Sequence, residues 1–349
     1  MIEFKLPSLG ADMDEGKLLE WKVKPGDKVK RGDLVAVVET PKAAVDIEIW
    51  QDGVVHELVT QPGTTIPVGT IMARLIGEGE APPAQAPAPE RRPASPAARK
   101  RARELDLDIE KLAGTGPHSA VTVEDVEKAA KPAEPVDRNA EMRKAIAAAM
   151  SRSKREIPHY YLSETVSLER AAAWLEAENA RRPLPERMLM AVLFLKAVAL
   201  ACKTYPDMNG HYVDNAFRPA ASVNVGVAIS LRQGGLIAPA IHEVEKLPLP
   251  ELMKKLADLV KRARAGSLRS SEMSDPTITV TNLGEGGVQA VFGIIYPPQV
   301  ALVGFGSVQR APAPAVVASL AADHRVSDGH RGALFLAEVA RLLQVPEKL

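Results

Sequence analysis

Ala321-Ala322-Asp323-His324-Arg325-Val326-Ser327-Asp328-Gly329 lies where an apolar run gives way to a helical pattern. The stretch sets a histidine and an aspartate four residues apart at the expected join of a strand and a helix. Histidine moves protons near neutral pH, so His324 is a candidate general base. A motif this short also arises by chance, and its weight comes from what surrounds it.

Working outward, 141–153, 168–180, 188–204, 250–265 and 329–343 read as helices. The stretches 224–231, 236–241, 277–281, 300–307 and 315–322 read as strands. Helices and strands mixed in one block predict a single α/β domain over 139–349. Its longest apolar run, 189–202, is interrupted by Lys196 and is too short to span a bilayer, so it reads as a buried helix.

The first 77 residues carry an internal repeat. Gly16, Glu20, Pro25-Gly26 and Gly32 recur as Gly53, Glu57, Pro62-Gly63 and Gly69, a constant spacing of 37 residues. Glycines and Pro-Gly pairs punctuate short alternating runs, which predicts two copies of one strand unit in a quasi-symmetric β-sandwich over 1–77. Lys42 falls between two of those runs, at an expected hairpin tip.

Residues 78–94 form a Pro/Ala linker, and the proline-rich run continues to Pro96. Such a run spans up to roughly 60 Å at about 3.1 Å per residue and tethers what it joins. Residues 95–130 read as a small helical unit, with proline in the first turn of one helix and a Thr122-Val123-Glu124-Asp125 capping pattern opening another. Arg91, Arg92, Arg99, Lys100, Arg101 and Arg103 cluster around its start and favour an acidic partner surface. No aromatic residue interleaves them to stack on bases, which argues against nucleic acid. Residues 131–138 read as a second linker.

The 349 residues suffice for two or three domains, and 44 basic against 44 acidic side chains leave no net charge to attract nucleic acid or a membrane. Cys202 is the single cysteine, which excludes an internal disulfide and leads us to expect a cytoplasmic protein. Met1-Ile2-Glu3-Phe4-Lys5 lacks the apolar segment of a signal peptide. Asp323 and His324 are adjacent, and His211 and His242 have no partners at metal-ligand spacing, so no metal is expected.

Val38-Glu39-Thr40-Pro41-Lys42-Ala43-Ala44-Val45-Asp46-Ile47 resembles the modification hairpin of lipoyl domains; Pro41 and Ala43 differ from the methionines that flank a biotinyl lysine. The resemblance implies lipoate attached covalently to Lys42. Residues 95–130 resemble the peripheral-subunit-binding domain of 2-oxo acid dehydrogenase complexes. Implied partners are the 2-oxo acid decarboxylase component and dihydrolipoyl dehydrogenase, contacted through Arg99 and Arg103. Where that family carries an arginine after Gly-Thr-Gly-Pro, this chain has Ala120.

Met142-Arg143-Lys144-Ala145-Ile146, Ile157-Pro158-His159-Tyr160, Gly235-Leu236-Ile237-Ala238-Pro239, Thr281-Asn282-Leu283-Gly284, Tyr296-Pro297-Pro298-Gln299 and the opening stretch are similar, in order, to the catalytic domain of dihydrolipoyl acyltransferases. The resemblance implies a chloramphenicol-acetyltransferase-like fold and acyl transfer to coenzyme A, with acetyl favoured and a branched-chain acyl group next. It implies His324 as base and Asp328 as an orienting residue at a trimer interface. Thr281 stands where the family has its oxyanion-donating serine. A homotrimer is implied, with a larger core as an extension. Thr281, Ala120 and a short 308–315 segment motivate the rival reading, a catalytically weak scaffold or carrier. His330 replaces the small residue usual after the glycine.

Overall fold

The glycine repeat closes into a two-sheet sandwich. The computed structural model describes residues 1–9, 13–40, 44–77, 94–105, 109, 114–116, 120–130, 138–231, 235–284 and 287–349. Its first strands are β1 (Ile2–Lys5), β2 (Glu15–Trp21), β3 (Lys28–Val29), β4 (Leu34–Glu39), β5 (Ala44–Glu48), β6 (Gly53–Leu58), β7 (Thr65–Pro67) and β8 (Ile71–Ile76). One sheet runs β1-β8-β6-β3 and the other contains β5-β4-β2-β7. Shifting β4, β2 and β3 by the repeat length lands them on β8, β6 and β7, so the two sheets are copies. Gly26 and Gly63 share positive φ (97° and 88°), a backbone state glycine takes without strain and the reason both copies keep it. Phe4, Leu18, Val38, Ile47, Met72 and Leu75 fill the space between the sheets. Lys42 lies outside the described residues; β4 and β5, its neighbours in the chain, stay paired out to Glu39 and Ala44.

Residues 1–80 and 138–349 form one compact unit and 81–137 a second. In the second, α1 (Pro96–Glu104) is capped by Ser95, whose Oγ accepts from Ala98 N at 3.1 Å. Thr122 and Asp125 cap α2 (Val123–Ala130) reciprocally: Asp125 N donates to Thr122 Oγ1 (3.3 Å) and Thr122 N to Asp125 Oδ2 (2.9 Å). Hydrogen bonds from Thr115 and Thr122 hold the Asp125 carboxyl well below the usual carboxylate range. Ala98, Ala102, Val121 and Val126 make the small core, and Arg99 and Arg103 stand exposed on the outer side of α1.

The remaining chain begins with α3 (Arg138–Glu156), β9 (His159–Ser167), α4 (Glu169–Ala180) and α5 (Met190–Thr204). Next come β10 (Gly210–Val213), β11 (Ala216–Pro219), β12 (Val225–Val227), β13 (Ile229–Ser230), β14 (Leu236–Ile237), β15 (Ala240–Ile241) and α6 (Leu249–Ala265). Then follow β16 (Leu268–Arg269), α7 (Ser270–Ser274), β17 (Ile278–Asn282), β18 (Ala301–Phe305), β19 (Ala315–Asp323) and α8 (Gly329–Leu343). The main sheet runs β15-β12-β17-β18-β19-β9. Its core joins α5, α6 and α8 to the sheet, with the Phe194 and Phe305 rings stacked at 4.2 Å. Lys196, the buried charge of α5, donates to the carbonyls of Val244 (3.2 Å), Glu245 (2.8 Å) and Leu247 (2.7 Å), which offsets its burial.

Several features depart from the sequence expectation, and the strand expected over 236–241 breaks into β14, paired with β13, and β15, paired with β12. The strand expected over 224–231 splits: β12 stays in the main sheet, whereas β13 turns to pair with β14 alone. The β10–β11 hairpin was not expected; its turn is Asp214-Asn215, both at positive φ (53° and 57°), a two-residue turn signal that polar composition concealed. Among the described residues, no helix is long and apolar enough to cross a membrane.

Candidate active site

β19 is paired to β9 along its whole length, ending at Asp323 opposite His159. Where the pairing ends the chain must turn, and Asp323 directs the turn. Its carboxylate is fully buried and accepts from Arg325 N (2.9 Å), Arg325 Nε (3.0 Å) and Arg325 Nη2 (2.7 Å). Its carbonyl accepts from Val326 N at 3.0 Å and Ser327 N at 3.1 Å. The Arg325 guanidinium lies 3.9 Å above the Tyr212 ring, and its bond to Asp323 keeps its pKa above the ordinary value. His324, between the clamped pair, therefore has its backbone fixed; its N–H donates to Pro158 O at 2.9 Å.

The imidazole of His324 is exposed, and no hydrogen bond holds it among the described residues. The Tyr160 ring meets it edge-on at 5.4 Å, and Tyr160 Oη shares a hydrogen bond with Ser327 Oγ at 2.8 Å. Burial pushes the Tyr160 phenol up, so it stays neutral. Gly332 is what lets α8 approach this tyrosine: a Cβ there would fall 2.8 Å from Tyr160 Oη and 2.9 Å from Leu162 Cδ1. Asp328 caps α8, accepting from Arg331 N at 2.9 Å. That bond, helped by His330 N–H and the charges of His330 and His324, holds its carboxyl below the ordinary value. Arg331 in turn grips Asp207 through two bonds of 3.1 and 2.8 Å. His324 stands in an open cleft of about 610 Å³ lined also by Pro206, Phe217, Arg325, Asp328 and Arg331.

His159 shows how differently a structural histidine is treated. Its Nδ1 donates to Ile157 O (2.9 Å) and its Nε2 accepts from Ile295 N (3.1 Å), so both nitrogens are spent on backbone. Burial keeps its pKa below the ordinary value. His242 is paired with Asp275 at 3.0 Å, and His211 Nε2 lies 2.9 Å from Pro276 O. His330 is exposed on the first turn of α8. No group of metal-ligating side chains occurs among the described residues.

Thr281 is half-buried near the end of β17, with no hydrogen bond to its hydroxyl among the described residues. It is in register with Gly304, and Gly304 with Ser319. Asp323, the last residue of β19, follows Ser319 by four, which puts it about 13 Å from the Ser319 level at about 3.3 Å per residue, and His324 lies in the turn beyond it. One chain therefore does not bring the two together, whereas it does bring His324 and Asp328 to one cleft. The Asp323–Arg325 clamp, Tyr160 and Gly332 were missed by the sequence reading. The Asp-His-Arg adjacency was a usable signal for the clamp; the approach of Tyr160 had none.

The comparisons with known proteins agree with this layout. Residues 132–349 match the family described as 2-oxoacid dehydrogenases acyltransferase (catalytic domain). Residues 2–75 match the family of biotin- and lipoyl-attachment domains described as biotin-requiring enzyme, and 92–127 match the e3 binding domain. The chain is 30% identical over 442 residues to the dihydrolipoyllysine-residue acetyltransferase component of the pyruvate dehydrogenase complex of Rhizobium meliloti, covering 99% of this chain and 98% of that one. It is similar to a crystal structure of a probable dihydrolipoamide acetyltransferase from Listeria monocytogenes, at 27% identity and a TM-score of 0.55, covering 61% of this chain and 93% of that one. A structure of the cubic core of a pyruvate dehydrogenase multienzyme complex gives 26% identity and a TM-score of 0.55, covering 61% and 96%. A sandwich, a two-helix unit and an α/β domain with a displayed histidine define a modular acyltransferase. The chain belongs to the 2-oxoacid dehydrogenase acyltransferase family.

Proposed function

We propose that this protein transfers an acyl group, acetyl first and a branched-chain acyl group next, between dihydrolipoyl-Lys42 and coenzyme A as the core of a 2-oxo acid dehydrogenase complex. The observation that carries the reading is His324: its backbone is clamped by the ion pair of the buried Asp323 with Arg325 while its imidazole stays unengaged in an open cleft. The relatives are named as acetyltransferase components of pyruvate dehydrogenase complexes, which supports acetyl. Lipoate on Lys42 ends in a dithiolane whose reduced, dithiol form carries an acyl group as a thioester.

A thiol of pKa about 8.5 is only a few per cent thiolate at neutral pH, so a positioned base is useful. His324 takes the proton of the attacking thiol of coenzyme A. The thiolate sulfur forms a bond to the thioester carbonyl carbon, and the carbonyl oxygen takes up the electron pair. The Thr281 hydroxyl donates to that oxyanion, a contribution typically of about 3–4 kcal/mol. On collapse the departing sulfur leaves with its electron pair and recovers the proton from the imidazolium. Asp328 acts at one remove, capping α8 and setting the charge beside the imidazole.

The wide intrachain separation of Thr281 and His324 supports a homotrimer in which one copy's threonine serves another's histidine. Similarity to a cubic-core structure supports a larger assembly. We assign 1–77 as the lipoyl domain, 95–130 as the binding domain and 139–349 as the catalytic domain, with linkers between. The exposed Arg99 and Arg103 contact the decarboxylase component and dihydrolipoyl dehydrogenase. A cytoplasmic location belongs to the same reading, on the strength of one buried cysteine. His324→Ala should lower steady-state acyl transfer by about 10²–10⁴-fold while intact mass shows Lys42 still lipoylated. Full activity in that variant sinks the assignment. Thr281 favours the scaffold reading, and absence of transfer from any acyl-coenzyme A to dihydrolipoamide by the wild-type protein would establish it.

A further inference from the structure

The outer edge of the sandwich is not free. β5 would otherwise be an edge strand with unpaired backbone groups. Instead β16 runs parallel to it, with Val45 opposite Leu268 and Asp46 opposite Arg269, so the β5-β4-β2-β7 sheet gains a fifth strand from the catalytic domain. Just past the paired residues, Glu48 N donates to Ser270 Oγ at 3.1 Å. The Glu48 carboxylate accepts from Ser271 N at 3.3 Å and from Ser271 Oγ, and Arg269 Nη1 stands 3.8 Å away. Leu268 is buried, and Met273 packs against the sandwich core and the catalytic core at once.

The contact also aims the sandwich. Leu9, in the loop after β1, lines a cavity of about 100 Å³ with Leu236, Met273, Pro276, Tyr296 and Pro298. Ser8, its neighbour, opens on a larger cavity of about 600 Å³ whose wall includes Arg152, Tyr212 and Arg325. Arg325 is the residue that clamps the turn bearing His324.

We propose that Leu268–Ser271 is a recognition site for the chain's own lipoyl domain, read by strand addition and by Glu48, and that this dock delivers the acyl group to the His324 cleft. The proposal rests on the acyltransferase reading, and the test separates the two. Lipoylated full-length protein is reduced and given acetyl-coenzyme A, and two rates are measured: acetylation of its own lipoyl group, by mass, and acetylation of added free dihydrolipoamide. Glu48→Ala and, from the opposite side of the contact, Ser271→Ala should slow the first roughly tenfold, the scale of losing hydrogen bonds to a charged group, and leave the second unchanged. Equal rates for wild type and both variants on both acceptors would overturn the dock while leaving the transferase intact. Absence of free dihydrolipoamide acetylation by the wild type would instead remove the reading beneath it. As a direct check, Asp46→Cys with Arg269→Cys should form an intramolecular disulfide on mild oxidation, because paired strands hold their Cα atoms within bridging distance. A yield no greater than for Glu57→Cys with Arg269→Cys, where Glu57 is on the other sheet, would also overturn it.

Discussion

Residues 1–77 and the His324 cleft are constructed in contrasting ways. The sandwich is one strand unit used twice, and each half covers the other's apolar face. The cleft is assembled from the end of β19, the start of α8, Tyr160 on β9, Asp207 and the β10–β11 hairpin, segments far apart in the chain. Repetition makes the first region tolerant, since most of its contacts are local and duplicated. Long-range convergence makes the second sensitive, since one displaced side chain releases several others. The two regions also divide the chemistry: the first carries a group on one lysine, and the second holds a base still.

That division is open to direct attack. The largest effects should come from the two chemical residues, and they should be complementary. His324→Ala loses acetylation of both acceptors by about 10²–10⁴-fold. Lys42→Ala loses only the attached acceptor and keeps transfer to free dihydrolipoamide. Loss of free transfer in Lys42→Ala would show that the regions are not separable. Next, Thr281→Ala should lower kcat by about 10²-fold, and Thr281→Ser should leave it within about threefold. Mixed trimers of His324→Ala and Thr281→Ala should regain part of the activity, because some interfaces then pair an intact histidine with an intact threonine.

Arg325→Ala should cost about 3 kcal/mol of stability in urea unfolding, because it leaves the Asp323 carboxylate buried without its partner. Gly332→Ala should cost about 1–3 kcal/mol, since the new methyl group would displace Tyr160 or Leu162, and kcat should fall with it. A comparable alanine substitution at an exposed sandwich position such as Glu57 should be within about 0.5 kcal/mol of neutral. The smallest effect is at His242. Its hydrogen bond to the Asp275 carboxylate raises its pKa above the ordinary value. The pair's contribution from this histidine is therefore complete below about pH 6.5 and is lost as pH rises through the raised value. Melting temperatures of wild type and His242→Asn should converge between about pH 6 and pH 9; parallel curves would show that the pair does not titrate there.

Much of this was legible before any coordinates. The spacing of 37 residues between Gly26 and Gly63 called for a doubled sandwich, because only a turn at positive φ needs glycine at both places. Helical periodicity located α4, α5, α6 and α8 because each buries one face or, for α5, nearly all of its surface. The split of β12 from β13 was not legible, since alternating apolar residues read the same whether a strand stays in one sheet or turns to another. His324 was legible as a residue type at a strand-to-helix join. Its engagement was not, because His159 and His324 look alike in sequence, and only contacts to Ile157 and Ile295 spend the nitrogens of the first.

The sequence by itself determined the modular order, the doubled sandwich, the α/β class and the candidate residues Lys42, His324, Asp328 and Thr281. The sandwich and the α/β class follow from local periodicity and turn chemistry, which neighbours in the chain suffice to express, whereas the roles of Lys42, Asp328 and Thr281 came from the resemblance of the motifs that hold them. Tertiary structure alone decided that Arg325 clamps Asp323, that Gly332 admits Tyr160 to the imidazole, and that Thr281 stands far from His324 in the same chain. It alone laid β16 along the edge of the sandwich. The physical reason is one of range: a hydrogen bond or a packing contact reaches only a few ångströms, and which distant residues come that close depends on the register and crossing of whole elements.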